Sequence, residues 1–274
     1  MPAIIWLASY PKSGNTWLRL FLKAYRDAAT LQSIEEMETP IAASRTLLDE
    51  ALGLESADLL TKELRDLLPL AYRAWAALPH EHSFLKTHDA YSCTRAGEPI
   101  FPIEASRCVL HLLRDPRDVA ISLAHHNGCT LDEAITQMND PEYWAANNKV
   151  KGQIPQFFSD WSTHTRSWLA SPLPRLTLRY EDMLAEPVVS FARIVEFCGL
   201  EPDPQRLNQA LEATRFERLQ KREAEAGFSE RPAKASAPFF RSGRSGGWKE
   251  KLTPAQSVSI VKAHGTMMRQ FGYE

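Results

Sequence analysis

The 274-residue sequence predicts an α/β fold, a central, mainly parallel sheet flanked by helices and related to the fold of nucleotide kinases. Three observations carry that expectation. Ala3–Ser9 (AIIWLAS) and Arg107–Leu113 (RCVLHLL) are apolar runs with little alternation, the pattern of strands buried on both faces. Each run ends at a short polar loop, and each loop leads into a stretch with helical periodicity. Shorter strand candidates then alternate with helical segments along the chain.

After the first strand, Trp17, Leu20, Phe21, Ala24, Tyr25 and Ala28 recur at helical spacing between Ser13 and Ala29. Residues 31–78 are rich in Leu, Ala, Glu and Arg and read as helical, with Pro40 and Pro69 as punctuation. Ser83–Thr87 (SFLKT) is a short strand, and Val119–His126 restarts as a helix after the second long strand. Arg175–Tyr180 alternates like a strand, and Pro187–Cys198 is helical again. Residues 224–247 change character to Gly, Ser, Pro and Arg, which marks a long flexible loop. An amphipathic helix over Pro254–Gly272 closes a single domain spanning residues 1–274.

A composition of 44% hydrophobic and 24% charged residues is that of an ordinary globular protein. The net charge of -2 excludes a surface built throughout for nucleic acid but leaves room for a local basic pocket. Cys93, Cys108, Cys129 and Cys198 are scattered without metal-ligand or redox spacing. Cys108 and Cys198 sit in apolar runs and read as buried thiols, consistent with a reducing compartment. No apolar run approaches the ~20 residues that cross a bilayer, and no leader pattern precedes the first strand. The expectation is a cytoplasmic protein with no membrane and no nucleic-acid partner.

Three segments suit anions. In Tyr10-Pro11-Lys12-Ser13-Gly14-Asn15-Thr16-Trp17, a helix start supplies N–H donors, Gly14 permits close approach, and Lys12, Ser13 and Thr16 add a charge and two hydroxyls. The kinase phosphate loop, G-x-x-x-x-G-K-[ST], is absent, because here the Lys precedes the Gly. Kinases also end a strand in a metal-binding Asp, whereas this one ends in Leu113-Arg114. A sulfuryl group carries less charge than a phosphoryl group, so protein cations without metal favour sulfuryl transfer. The second segment is Arg114-Asp115-Pro116-Arg117-Asp118-Val119-Ala120-Ile121-Ser122. Arg114 stands at the C-terminal end of a buried strand, Ser122 lies on the next helix, and Arg117 and Asp118 read as surface charges at the helix start. The third is Arg241-Ser242-Gly243-Arg244-Ser245-Gly246-Gly247-Trp248-Lys249, a basic flap. A ligand with two separated phosphate groups accounts for all three.

These motifs, in this order, resemble the PAPS-dependent sulfotransferase family of the cytosolic type, over almost the whole chain. The resemblance implies a 5'-phosphosulfate site at Lys12, Ser13, Gly14, Asn15 and Thr16, with Trp17 stacked on adenine. It implies a 3'-phosphate site at Arg114 and Ser122, completed by Arg241, Ser242 and Gly243 of the flap. Tyr180 in Tyr-Glu-Asp-Met, with Thr214 and Phe216, resembles the remaining adenine wall. Family members usually carry a cation where this chain has Ser242, for which Arg244 compensates, and Asp where it has Gly247. Lys86-Thr87-His88 resembles the segment that supplies the catalytic base, so His88 is the expected base, with Lys12 and Lys86 as catalytic cations.

The implied reaction moves a sulfuryl group in line from PAPS to a hydroxyl, less readily an amine, of a small-molecule acceptor and releases 3',5'-ADP. Residues 31–78 and 128–165 are expected to wall the acceptor, the latter through Tyr143, Trp144, Phe157, Phe158 and Trp161, with Phe239 and Phe240 as a lid. A homodimer is compatible with the resemblance. Two alternatives remain at this stage: a small-molecule kinase of related fold, and a non-catalytic nucleotide-binding interaction protein.

Overall fold

A computed structural model describes residues 4–27, 34, 39–79, 83–145 and 152–274. Ala3 of the first expected strand, Ala28 and Ala29 of the first helix, and residues 31–33, 35–38 and 146–151 of the expected acceptor segments lie outside the described residues. The elements in order are β1 (Ile4–Ser9), α1 (Asn15–Asp27), α2 (Arg45–Leu52), α3 (Thr61–Ala77), β2 (Ser83–Thr87) and β3 (Ser106–Leu113). They continue with α4 (Pro116–Asn127), α5 (Leu131–Met138), β4 (Trp144–Ala145), β5 (Gln156–Phe157), α6 (Trp161–Ala170) and β6 (Arg175–Arg179). The rest is helical: α7 (Tyr180–Ala185), α8 (Pro187–Phe197), α9 (Pro204–Ala213), α10 (Phe216–Ala226), α11 (Trp248–Lys251) and α12 (Pro254–Gln270).

The chain forms two compact units, each assembled from three segments. The first comprises Met1–Tyr10, Thr39–His111 and Asp140–Thr177, and the second Pro11–Glu38, Leu112–Asn139 and Leu178–Glu274. Among the described residues, the main sheet has the strand order β2-β1-β3-β6, and β1 pairs β2 in parallel from Ile4↔Ser83 to Ala8↔Thr87. All six residues of β1 are buried, which is what the apolar run without alternation requires.

In the first unit, Trp6 anchors the core, edge-on to Tyr72 at 4.9 Å and to Phe101 at 4.8 Å, with its indole N–H donated to Ser106 Oγ at 2.7 Å. The indole thus buries a large apolar surface without leaving its one donor unpaired. Pro69 does not punctuate the helical segment as expected. It lies buried inside α3, where its ring adds to the core and offsets the loss of one backbone hydrogen bond. Arg65, one turn earlier, pairs with Asp89 at 2.7 Å, and Asp89 also accepts the Phe157 N–H at 2.8 Å. That ion pair fixes the turn that follows His88.

In the second unit, α1 packs its apolar stripe on α8 and α9, with Phe21 against Phe191 at 4.2 Å between ring centroids. The Tyr25 hydroxyl donates to Glu201 O at 2.6 Å and accepts from the Asp203 N–H at 2.9 Å. Helix ends follow local chemistry. Asp115 caps α4 ahead of Pro116, Gly128 ends it at φ 61°, and Thr253 with Gln256 forms a capping box on α12. Tyr180, expected to end a strand, instead opens α7. Cys108 and Cys198 are buried and not disulfide-bonded.

The Arg65–Asp89 pair generates a stability prediction. Asp89→Ala strands a buried guanidinium and the Phe157 N–H, so unfolding in urea should show a loss of about 3–5 kcal/mol. A loss under about 1 kcal/mol would mean that the pair does not hold this turn.

A candidate anion-binding active site

The donor-site residues expected from the sequence, Lys12 to Trp17, Arg114, Ser122, Tyr180, Thr214, Phe216 and Arg241 to Gly243, all fall in the second unit. The loop between β1 and α1 is tightly wound. Lys12 adopts φ 69° and Gly14 φ 100°, and the Leu18 N–H reaches Gly14 O at 3.1 Å to make the first bond of α1. For a lysine that conformation costs about 1–2 kcal/mol, which the surrounding packing must offset. A Cβ on Gly14 would stand 2.8 Å from the Tyr180 ring, so the glycine is a steric requirement here. The opening N–H groups of a helix have no intrahelical acceptor and suit an anion.

Arg114, emerging from β3, ties this loop to the flap. One guanidinium nitrogen donates to Lys12 O at 3.1 Å, another to Arg244 O at 3.2 Å, and the group lies 4.4 Å above the Tyr180 ring. Ser13 Oγ and Arg114 Nε are buried here without a hydrogen-bond partner among the described residues. Orphaned donors of this kind beside a helix start are what an anionic group satisfies.

The other expected residues are distributed as follows. Trp17 is edge-on to Tyr180 at 6.0 Å and to Phe191 at 5.0 Å. The Phe216 ring lies against Gly243, whose Cβ, if present, would stand 2.4 Å away. The Thr214 hydroxyl donates back to Ala210 O at 2.8 Å, within its own helix. Thr16 donates its hydroxyl to Glu230 at 3.0 Å, and the same carboxylate pairs with the buried Arg19 at 2.6 Å. Ser122 is half-buried on α4. The Lys12 ammonium sits 3.9 Å over the Phe239 ring.

Arg117 and Asp118 are not the surface charges expected. Both are buried, because each is committed to a partner that solvent would otherwise replace. Arg117 pairs with Asp115, donates to Tyr273 O and lies 3.7 Å over the Trp248 ring. Asp118 accepts the Gly246 N–H at 2.6 Å and the Trp248 N–H at 2.9 Å, clamping the C-terminal end of the flap. The flap is anchored further back as well, where Glu223 accepts the N–H groups of Phe239 and Phe240. Charged pairs adjoining a helix start were the available sequence signal, but only the fold reveals what they hold. Sequence reasoning also missed Lys251 and Ile121, which line a pocket with Arg114, Asp118, Arg241, Ser242, Arg244 and Gly247.

The expected catalytic residues His88 and Lys86 lie in the first unit, with Lys86 on β2. His88 Nδ1 stands 2.8 Å from Ser9 O and 3.2 Å from Ser9 Oγ, so the backbone carbonyl can accept a hydrogen carried on Nδ1. Phe158 stands edge-on to His88 at 6.0 Å, and Tyr143 lies 6.2 Å from Phe158. Trp161 differs from these acceptor candidates because it is fully buried core. Trp144 is exposed and packs on Phe157 at 5.0 Å.

The fold and this loop, strand-end arginine and basic flap define a nucleotide-dependent group transferase. The sulfotransferase domain family matches residues 2–272, and the chain belongs to that family, whose enzymes take the sulfuryl group from PAPS. Sulfotransferase 2A6 of Rattus norvegicus is 26% identical over 97% of this chain and 84% of its own length. Flavonol 3-sulfotransferase of Flaveria bidentis is 25% identical over 95% and 80%. Among solved structures, a mouse sulfotransferase complexed with PAP shares the fold at a TM-score of 0.62 and 20% identity, covering 98% of this chain and 85% of that one. Retinol dehydratase with androsterone and PAP does so at 0.65 and 20%, covering 97% and 81%.

Gly243→Ala tests the flap geometry. It forces an alanine into φ 60° against the Phe216 ring, and 3',5'-ADP should bind at least about fivefold more weakly by calorimetry, since strain of this kind costs roughly 1–3 kcal/mol. Unchanged affinity would mean that the ring is free to move aside.

Proposed function

We propose that this chain transfers a sulfuryl group from PAPS to a hydroxyl of a small, largely hydrophobic or aromatic acceptor, as one sulfotransferase domain over residues 1–274, with His88 as the general base. The observation that carries the donor half is Arg114, whose guanidinium is bonded both to the Lys12 loop and to the Arg244 flap. One side chain thereby connects the segments that suit the 5'- and 3'-ends of a nucleotide with two phosphate groups.

PAPS supplies an activated sulfuryl group whose leaving oxygen belongs to a phosphate. Lys12, Ser13 and the opening N–H groups of α1 hold that end, and the 3'-phosphate falls to Arg114 and Arg241. His88 Nε2 takes the acceptor proton as the new O–S bond forms and the S–O bond to the phosphate breaks. The Nδ1 contact with Ser9 O supports this reading, because a hydrogen carried on Nδ1 leaves Nε2 as the basic nitrogen. Lys12 offsets the charge that grows on the leaving oxygen, and Lys86 is the second cation proposed for that work. Tyr143 and Phe158, beside His88, are the proposed acceptor contacts. An aromatic acceptor also agrees with the flavonol enzyme among the relatives.

The cytosol is the proposed location. Scattered cysteines without a disulfide and the naming of an Arabidopsis thaliana relative, cytosolic sulfotransferase 13, support it. Among the described residues no helix is long and apolar enough to cross a membrane.

Incubation with labelled PAPS and a panel of phenols, alcohols and amines should release 3',5'-ADP together with a sulfated hydroxyl compound. ATP turnover without PAPS turnover would overturn the reading. His88→Ala should lower kcat by about 100-fold or more while still binding 3',5'-ADP, whereas an active variant removes His88 from the chemistry. Lys12→Ala should lower kcat about 100-fold with a smaller effect on donor affinity, the loss of about 3 kcal/mol of charge stabilisation. Near-normal kcat would assign the lysine to binding alone.

A further inference from the structure

The pocket between the end of β3 and the flap carries more positive charge than the expected ligands account for. Arg114 and Arg241 are the cations expected there, and Ser242 offers only a hydroxyl. Arg244, expected from the sequence, lines the pocket too, and the structure adds Lys251 from the last position of α11. Among the described residues Asp118 is the carboxylate in this lining, and it is occupied by the flap's own Gly246 and Trp248 N–H groups. It anchors the flap backbone and offsets part of the cations' mutual repulsion, one carboxylate among four cations. Partial burial, and then Arg241 and Arg244 nearby, draw the Lys251 ammonium below its ordinary value, against the opposing pull of Glu250 and Asp118. Arg241 is lowered in the same way, by burial and then by Arg114 and Arg244.

Arg244 and Lys251 are both exposed. Arg244 leans towards Glu250 at 3.6 Å, whereas Lys251 is placed by the short helix α11. The clamp of Asp118 on the Trp248 N–H fixes the first residue of α11, and one helical turn later the Lys251 side chain reaches the pocket. A phosphomonoester brings up to two negative charges and three acceptor oxygens, which suits a third cation beside the two arginines.

The geometry points to Lys251 as a donor-binding residue that recognises the 3'-phosphate, taking over the charge that Ser242 lacks. This assignment rests on the proposed donor, and it makes the selectivity for a 3'-phosphorylated nucleotide depend on α11 as well as on the flap. The consequence is specific: Lys251 contributes to binding only when the ligand carries the 3'-phosphate.

Calorimetric titration of the full chain with 3',5'-ADP and with 5'-AMP separates the contributions. The wild type should prefer 3',5'-ADP. Lys251→Met should weaken 3',5'-ADP about tenfold, as loss of one charge-assisted contact does, and leave 5'-AMP within about twofold. Lys251→Arg should restore most of the preference. If Lys251→Met keeps the full preference, or loses both ligands equally, the assignment is overturned while the donor reading stands. If the wild type itself binds 5'-AMP as tightly as 3',5'-ADP, the donor reading fails and the assignment falls with it.

Discussion

Arg114 makes two hydrogen bonds to carbonyl groups far apart in sequence, Lys12 O and Arg244 O, and the geometry of the second unit's site follows from them. A guanidinium is planar and keeps its charge at any ordinary pH, so it joins two loops in one fixed plane. Tyr180 supplies the floor beneath that plane at 4.4 Å and at the same time presses against Gly14, whose lack of a Cβ makes the contact feasible. Moving any one of these groups shifts the others. The left-handed Lys12 backbone is held within this arrangement, with its carbonyl committed to Arg114.

Charge is used in two distinct ways in this protein. Some ions are spent on architecture: Arg65 with Asp89, Arg117 with Asp115, and Arg19 with Glu230 are pairs whose members are largely withdrawn from water. Others gather at the flap, where Arg114, Arg241, Arg244 and Lys251 share a pocket with Asp118. A chain with a net charge of -2 can hold a polyanion because its charges are sorted in space, with carboxylates consumed in structural pairs and cations left for the ligand.

The flap illustrates how an irregular segment is positioned without secondary structure. Glu223 holds Phe239 and Phe240, Glu230 reaches Arg19 and Thr16, and Asp118 holds Gly246 and Trp248. Each anchor is a carboxylate accepting N–H or O–H donors, the strong class of hydrogen bond. Phe239 is thereby laid over the Lys12 ammonium. Glu230 also engages the hydroxyl of Thr16, so that residue's contribution to a donor falls to its backbone unless the carboxylate moves.

The fold class, β1, β2, β3 and the loop from Tyr10 to Trp17 were legible in the sequence because periodicity and a phosphate-cradling composition are local properties. The reading of Arg114 at a strand end and of a basic flap was local as well. Pro69 misled, since a proline's cost to a helix is local whereas the core packing that offsets it is not. Arg117 and Asp118 misled for the same reason: a charged pair at a helix start looks solvated until Trp248, Tyr273 and Gly246 close over it. Lys251 was passed over because it lies two residues beyond the flap segment that ends at Lys249, and its place in the pocket depends on the α11 turn that follows the Asp118 clamp. By itself the sequence determined which segments could bind an anion. The tertiary structure decided what each charge holds, because Arg19 meets Glu230 and Asp118 meets Gly246 only across more than a hundred positions of the sequence.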